Sequence, residues 1–298
     1  MKHPTLVILA AGRSAVFAGG KEQAPVGPDG EYLYDYTIYD ALSCGFGRVV
    51  FVVRPDNEQD LKVAFEDRFG ASIPVTFVRQ FRPLGTGHAV ASVGGLVGGP
   101  FGLANAADLY GREALQALGD RLRGFAEARA PDAPIRACLV SYRLGDTLSA
   151  HGGVSRAVCR GGPDGRLHGL DEILGIHQHT ADEVVGRFPD GTETRLSLDD
   201  RVSMNLWGFD EQIVEAMSAG YNDWTYHLEP GATGEYRLSS AVDRMLKDDE
   251  LELEAIAGAR HAWLGLSHRA DVERVQQVLA EAVERGDYPP SLKRAIRG

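Results

Sequence analysis

Basic excess is missing from this sequence. Its 31 Lys and Arg stand against 42 Asp and Glu, a formal net charge of −11. Affinity for a polyanion needs a basic footprint that neutralises phosphates, so a nucleic-acid partner is not expected. Cysteine is scarce. Cys44, Cys138 and Cys159 stand far apart without metal-ligand spacing, which argues against a disulfide framework and fits a reducing compartment. Long hydrophobic runs are absent as well. Those at 6–11 and 49–53 have strand length, well short of the roughly 20 apolar residues of a membrane helix. The first run passes straight into a glycine-containing loop, so a secretory leader is not predicted. Internal repeats, low-complexity tracts and long linkers are missing too. The expectation is a cytoplasmic globular protein without nucleic-acid or membrane partners, either an enzyme or the relic of one.

What is present is a strand–helix alternation punctuated by 36 glycines. Residues 5–9 and 48–53 read as buried strands, being rich in Val, Leu and Ile without polar alternation. Further strands are predicted at 74–78 and 101–105, with helices at 32–43, 56–69, 85–93 and 112–128. In the last helix Leu115, Leu118, Leu122 and Phe125 share one face. This rhythm predicts a parallel sheet covered on both faces. The middle reads as short strands at 138–143, 155–159, 167–173, 193–197 and 202–209, separated by turn clusters such as Gly161-Gly162-Pro163-Asp164-Gly165. Helices at 211–218 and 270–285 follow. One α/β domain with a β-rich insertion accounts for the whole chain.

The first strand releases Leu9-Ala10-Ala11-Gly12 at its C-terminal end, and Lys21 follows on the same loop. A buried strand ending in a glycine loop can turn backbone N–H groups towards phosphate oxygens, and a lysine adds a point charge. The pattern matches neither the Walker loop nor the dinucleotide fingerprint, so an ordinary tight turn stays open beside a phosphate site.

A run of motifs in register adds to this reading. They are LAAGRSAVFAGGKEQAPVGPDGEYLYDYTIYDALSCGFGRVVFVVRP at 9–55, PLGTGHAV at 83–90, NAADLYG at 105–111, VSMNLWGF at 202–209, GEY at 234–236 and WLGL at 263–266. Together they resemble the sugar-phosphate nucleotidyltransferases (nucleotide-sugar pyrophosphorylases), and in particular compact bacterial members. The resemblance spans nearly the whole chain. It implies a Rossmann-like nucleotide-diphospho-sugar transferase fold, mostly a parallel sheet with a β-rich sugar-binding part. It also implies a single domain over 1–298, with a nucleotide-binding part at 1–130 and a sugar-binding part with C-terminal helices at 131–298. The implied reaction joins an NTP to a sugar 1-phosphate, giving an NDP-sugar and pyrophosphate with Mg²⁺. A homo-oligomer or a partner subunit would also be in keeping with it.

By the same resemblance Ala10, Ala11 and Gly12 cradle the nucleotide, and Gln80, Gly85 and Thr86 hold its base side. Lys21 matches the family's signature lysine and neutralises the phosphates, the main requirement of nucleotidyl transfer, and an active site would need Arg13 to replace the family's missing arginine. Glu172, Asn205 and Glu235 face the sugar, Asp210 aligns with a carboxylate that helps hold the metal, and an active site would need Asp108 as a further hard oxygen donor.

Three departures fall on the chemistry. The loop reads Gly12-Arg13-Ser14-Ala15-Val16, so the second glycine and the arginine of the family's G-x-G-x-R are gone. Ala107 stands where the first aspartate of N-A-D-D holds the metal, and Asp108 beside it points to the other face if the strand is regular. Ile173 follows Glu172 where relatives carry a lysine. Two readings therefore stand: an active enzyme with a rebuilt site, or a degenerate member that binds a nucleotide or nucleotide-sugar as a sensor or partner subunit.

Several conspicuous residues have plainer explanations. Asp210 precedes a helix and fits an N-cap. His88 fits a helix start, and Met204, Leu206, Trp207 and Phe209 fit the core. His177, His179, Asp182 and Glu183 fit a polar loop better than a metal cluster, Asp199-Asp200 a solvated turn, and 247–250 an exposed helix end.

Overall fold

The structure, a computed structural model, describes residues 3–12, 20–82, 84–125, 127, 130, 133–162, 164–180, 183–228, 234–258 and 263–297. Its first half alternates strand and helix: β1 (Thr5–Ala10), α1 (Leu33–Ser43), β2 (Arg48–Val53), α2 (Glu58–Phe69), β3 (Val75–Arg79), α3 (Thr86–Ala91), β4 (Phe101–Asn105), β5 (Asp108–Leu109) and α4 (Arg112–Phe125). Strands then dominate, as β6 (Ile135–Arg143), β7 (Val154–Gly161), β8 (Arg166–Gln178), β9 (Val184–Arg187), β10 (Glu193–Leu196) and β11 (Arg201–Phe209). The chain continues through α5 (Ile213–Tyr226), α6 (Leu238–Lys247), β12 (Leu251–Ala257), β13 (Leu264–Gly265), α7 (Asp271–Glu284) and α8 (Leu292–Arg297).

All but β5 and β13 share one sheet, ordered β10-β9-β8-β12-β6-β11-β4-β1-β2-β3, with β7 bridging β11 and β8. The fold is mixed α/β. The expectation of a parallel sheet holds for β3-β2-β1-β4 and for the β6–β12 pair. It fails beyond β4, where β11 runs antiparallel to both β4 and β6, and β7 to β10 form antiparallel ribbons. Connection length explains the ribbons, since short turns such as the one around Gly165 can join only antiparallel neighbours, whereas β11 is set against β4 and β6 by pairings distant in sequence.

Alternate residues of the central strands feed separate cores. Leu6, Ile8, Val49, Phe51 and Val53 pack with α1, α2 and α4, while Val7, Val50 and Val52 pack with α3, α5 and α6. Both faces are thus covered, which is why these strands read as unbroken apolar runs. The order of connections reverses at β1, because β2 and β3 extend the sheet to one side and β4 to the other. In open α/β sheets the crevice at the C-terminal ends of such strands takes ligands.

Element boundaries moved most in the second half. β8 runs five residues past the predicted end at 173, and α5 continues to Tyr226. β9, α6, β12 and α8 were not anticipated. Among the described residues no helix is long and apolar enough to cross a membrane.

Candidate functional site

A cavity of about 430 Å³ opens where β1 and β4 end, a size suited to a small-molecule ligand. Ala10, Ala11, Gly12, Lys21, Gln80, Gly85, Thr86, Glu172, Asn205 and Glu235 all line it, so residues scattered over more than 200 positions of the chain meet there. Arg13 and Val16 lie outside the described residues.

The loop after β1 is held from behind. Arg54, 8% exposed, donates to the carbonyl oxygens of Gly12 and Ala10. Asn57 Nδ2 also donates to Ala10 O, at 2.9 Å. Buried Glu22 balances the charge, accepting from Asn57 at 2.9 Å and Arg54 at 3.3 Å. With its carbonyls bound on one side, the loop leaves its other side for a ligand. A side chain at Gly12 would meet nothing within 4 Å.

Gln80 and Gly85 form the next wall. Gln80 Nε2 donates to Gly85 O at 3.0 Å and lies 3.1 Å from His88 Nδ1. His88, inside α3, stacks on Tyr221 with ring centroids 4.3 Å apart, and burial lowers its pKa. Thr86 Oγ1 accepts the Leu238 amide at 3.0 Å, while Gly87 N donates to Tyr236 O and Tyr236 N to Leu84 O. These bonds fasten the Gly-Thr-Gly turn to the segment that carries Glu235, Arg237 and Ser239.

That segment also orients Glu172. Ser239 Oγ donates to Glu172 Oε2 at 2.9 Å, and Arg237 lies 3.7 Å from Oε1 while holding Glu235 at 3.1 Å. Asn205 occupies a bulge in β11 between Ser203 and Trp207, with φ of 62°. Its Oδ1 accepts the Trp207 indole N–H at 3.2 Å, which leaves the amide N–H groups for other partners. Asn tolerates this left-handed conformation better than most residues.

The two carboxylates expected to hold metal do not come together. Asp108 is buried behind Ala107, which lines the cavity while Asp108 does not. Its carboxylate accepts from Asn105 Nδ2 at 2.7 Å and Tyr110 OH at 3.3 Å, and desolvation raises its pKa against the attraction of Lys21 and Arg156. Asp210 follows β11 at the opposite end of the strand pair, where Phe209 faces Phe101 at the start of β4. Arg136 grips it through Nε at 2.8 Å and Nη2 at 3.0 Å. Nor does Asp210 cap α5, whose first turn begins after Gln212 without a side-chain cap. Among the described residues no cluster of His, Cys, Asp and Glu could hold a metal ion, His177, His179 and Glu183 included; Asp182 lies outside them. Asp199 pairs with Arg143, and Asp200 accepts the Ser197 amide.

Arg156, Arg237 and Ser239 also line the cavity, and sequence reasoning passed over all of them. Arg156 on β7 pairs across the sheet with Ile173. Thus the face that lacks a lysine after Glu172 carries an arginine from the neighbouring strand. The amphipathic spacing of Leu238, Ala241, Val242 and Met245 could have revealed α6 and with it Arg237 and Ser239. Nothing local singled out Arg156.

No protein-family model and no curated protein matches this sequence. Solved structures do. The chain superposes on a UDP-glucose pyrophosphorylase complexed with UDP-glucose with a TM-score of 0.62, at 15% identity, covering 94% of this chain and 99% of that one. It superposes on a Bacillus anthracis protein described as a glucose-1-phosphate thymidylyltransferase, in complex with a sucrose, with a TM-score of 0.60 at 14% identity, covering 92% and 94%. At such identities the likeness concerns the backbone, and the chain has the fold of these sugar nucleotidyltransferases.

Proposed function

We propose that this protein is a nucleotidyltransferase that makes an NDP-sugar and pyrophosphate from an NTP and a sugar 1-phosphate. The observation that carries the reading is the single cavity in which the β1 loop, Lys21 and the Gln80–Gly85–Thr86 wall face Glu172, Asn205 and Glu235. Residues 1–130 would supply the nucleotide side of one domain, and 131–298 the sugar side.

In this reading the sugar phosphate oxygen attacks the α-phosphorus, and the bond to the pyrophosphate leaving group breaks. Amides at Ala11 and Gly12 and the Lys21 ammonium meet the charge that develops, a stabilisation worth most in a partly enclosed site. Arg13, next to Gly12 in sequence, would supply a second cation in this reading. Gln80, braced by Gly85 O, presents its amide to the base edge, and Glu172 accepts sugar hydroxyls. Magnesium does not fit the residues present, since Asp108 is sequestered and Asp210 is bound to Arg136. No step is assigned to a metal.

Ala107 in the cavity wall, with Asp108 behind it, favours a second reading in which the chain binds a nucleotide or nucleotide-sugar without turnover. Pyrophosphate release with each NTP and a panel of sugar 1-phosphates, with Mg²⁺ present, separates the two beside calorimetry with the same ligands. Turnover abolished by Lys21→Ala supports the enzyme. Binding without turnover supports the sensor. Silence in both assays removes both.

A further inference from the structure

A charge inside a protein is normally held by an opposite one, because an unpaired charge loses its hydration uncompensated. Arg54 obeys, with Glu22 at 3.3 Å. Arg156, buried to a similar degree at 9% exposed, does not. Its guanidinium donates from Nη2 to Thr147 O at 2.5 Å, from Nε to Thr147 Oγ1 at 3.2 Å and from Nη1 to Ser155 O at 2.9 Å. All are neutral acceptors, and among the described residues no carboxylate forms an ion pair with it. Each terminal nitrogen carries two N–H groups, so each keeps one beyond these bonds. The Trp263 ring covers the group at 5.4 Å from its centroid. Burial pulls its pKa down to about 10, opposed by the more distant Asp108 and Glu172, so it stays cationic at neutral pH.

Its position in the cavity is as informative as its lack of a partner. On β7 the next residue, Ala157, pairs with Glu172 on one side and Ser203 on the other. Arg156 itself pairs with Ile173, so its side chain leaves the sheet on the face opposite Glu172. Both residues still line the one cavity from adjacent strands, whereas Lys21 lines it from the β1 side. Arg237, another arginine lining the cavity, is engaged with Glu235 and Glu172. Ile173, facing Arg156 across the strands, offers no charge. A fixed planar guanidinium with one donor left on each terminal nitrogen matches two oxygens of a phosphate.

We propose that Arg156 anchors the phosphate of the second, non-nucleotide substrate, a phosphomonoester whose hydroxyls lie towards Glu172. This rests on the reading that a nucleotide and a phosphorylated acceptor share the cavity, and it names the residue that selects the acceptor's phosphate.

The test is calorimetry on the full chain with inorganic phosphate, glucose 1-phosphate, glucose and UTP as separate probes. Arg156→Met is expected to weaken phosphate and glucose 1-phosphate by about tenfold or more, the loss of one charge-assisted contact. UTP should change less than about twofold, and Lys21→Ala should show the opposite preference. Arg156→Lys keeps the charge for the case in which the Met variant does not fold, and should retain part of the phosphate affinity. Trp263 supplies a readout in the unaltered protein: phosphate should shift the tryptophan emission, and that shift should be lost in Trp263→Phe.

Unchanged phosphate affinity in a folded Arg156→Met overturns the proposal. So does loss of UTP with phosphate retained, which would assign Arg156 to the nucleotide. Failure of the wild type to bind either phosphate probe at millimolar concentration overturns it as well. Failure of the nucleotidyltransferase reading looks different: phosphate binding would depend on Arg156 while no NTP binds or turns over.

Discussion

Gly85 and Tyr236 approach so closely that a Cβ on Gly85 would lie 2.5 Å from the Tyr236 carbonyl oxygen. Gly85 also has φ of 103°, a conformation that glycine adopts without strain and other residues do not. Gly85→Ala should therefore cost about 1–3 kcal/mol of stability. Because Gln80 is braced on the Gly85 carbonyl, nucleotide affinity should fall further than acceptor affinity. Thermal melts beside UTP and glucose 1-phosphate titrations check both; a variant with unchanged melting would mean that the turn adapts.

Arg54 fixes the β1 loop without lining the cavity. Arg54→Met removes a donor to the Gly12 and Ala10 carbonyls and, among the described residues, leaves Glu22 with Asn57. Breaking a buried pair from one side costs about 3–5 kcal/mol. Glu22→Gln in the same background removes the stranded charge and should recover part of that stability, though not the nucleotide affinity. Denaturant unfolding of both variants, with NTP titration, tests this; full recovery of affinity would show that the loop holds its shape without Arg54.

Asp35 gives a pH dependence whose sign is fixed. It is fully buried beside Arg68, at 2.7 Å from Nε, yet desolvation outweighs that pairing and raises its pKa to about 7. The folded state thus keeps the proton after the unfolded chain has released it near the ordinary 3.8. Stability from this group is full below the unfolded value and is lost as pH rises towards 7, by up to about 1.4 kcal/mol per pH unit. Asp35→Asn cannot titrate. Its stability relative to wild type should climb between roughly pH 4 and 7 and level off above, as urea unfolding across that range would show. A pH-independent difference would place the Asp35 pKa at its ordinary value.

Much of this arrangement was legible in the sequence because its causes are local. Unbroken apolar runs disclosed β1 and β2, and the glycine loop that ends β1 was visible as a place for a ligand. Arg156 was illegible for the opposite reason. In VSRAVCRG both arginines follow the same alternation, yet Arg160 reaches an exposed pair with Asp171 while Arg156 enters the cavity, and only the β7–β8 register separates them. Asp210 misled in the same way, because its partner Arg136 is 74 residues distant. The strand directions beyond β4 also depend on distant pairings, which no short window contains. α6 is a different kind of omission, since its apolar spacing was there to be read.

The sharpest test of the metal concerns Ala107. Ala107 touches the cavity and Asp108 does not, so a carboxylate is one residue out of register with the site. Ala107→Asp would place one at the cavity wall, beside the β1 loop. The position is 3% exposed, so the larger side chain should cost about 1–3 kcal/mol. If a lost metal ligand limits activity, the variant should gain Mg²⁺-dependent nucleotide binding or turnover that the wild type lacks. Asp210→Asn is the control: it disturbs the Arg136 pair, so it should lower the melting temperature and leave any Mg²⁺ response unchanged. An Ala107→Asp variant that folds but loses an existing wild-type turnover would instead mean that the site works without a carboxylate at that place, with the charge handled by Lys21 and its neighbouring cations.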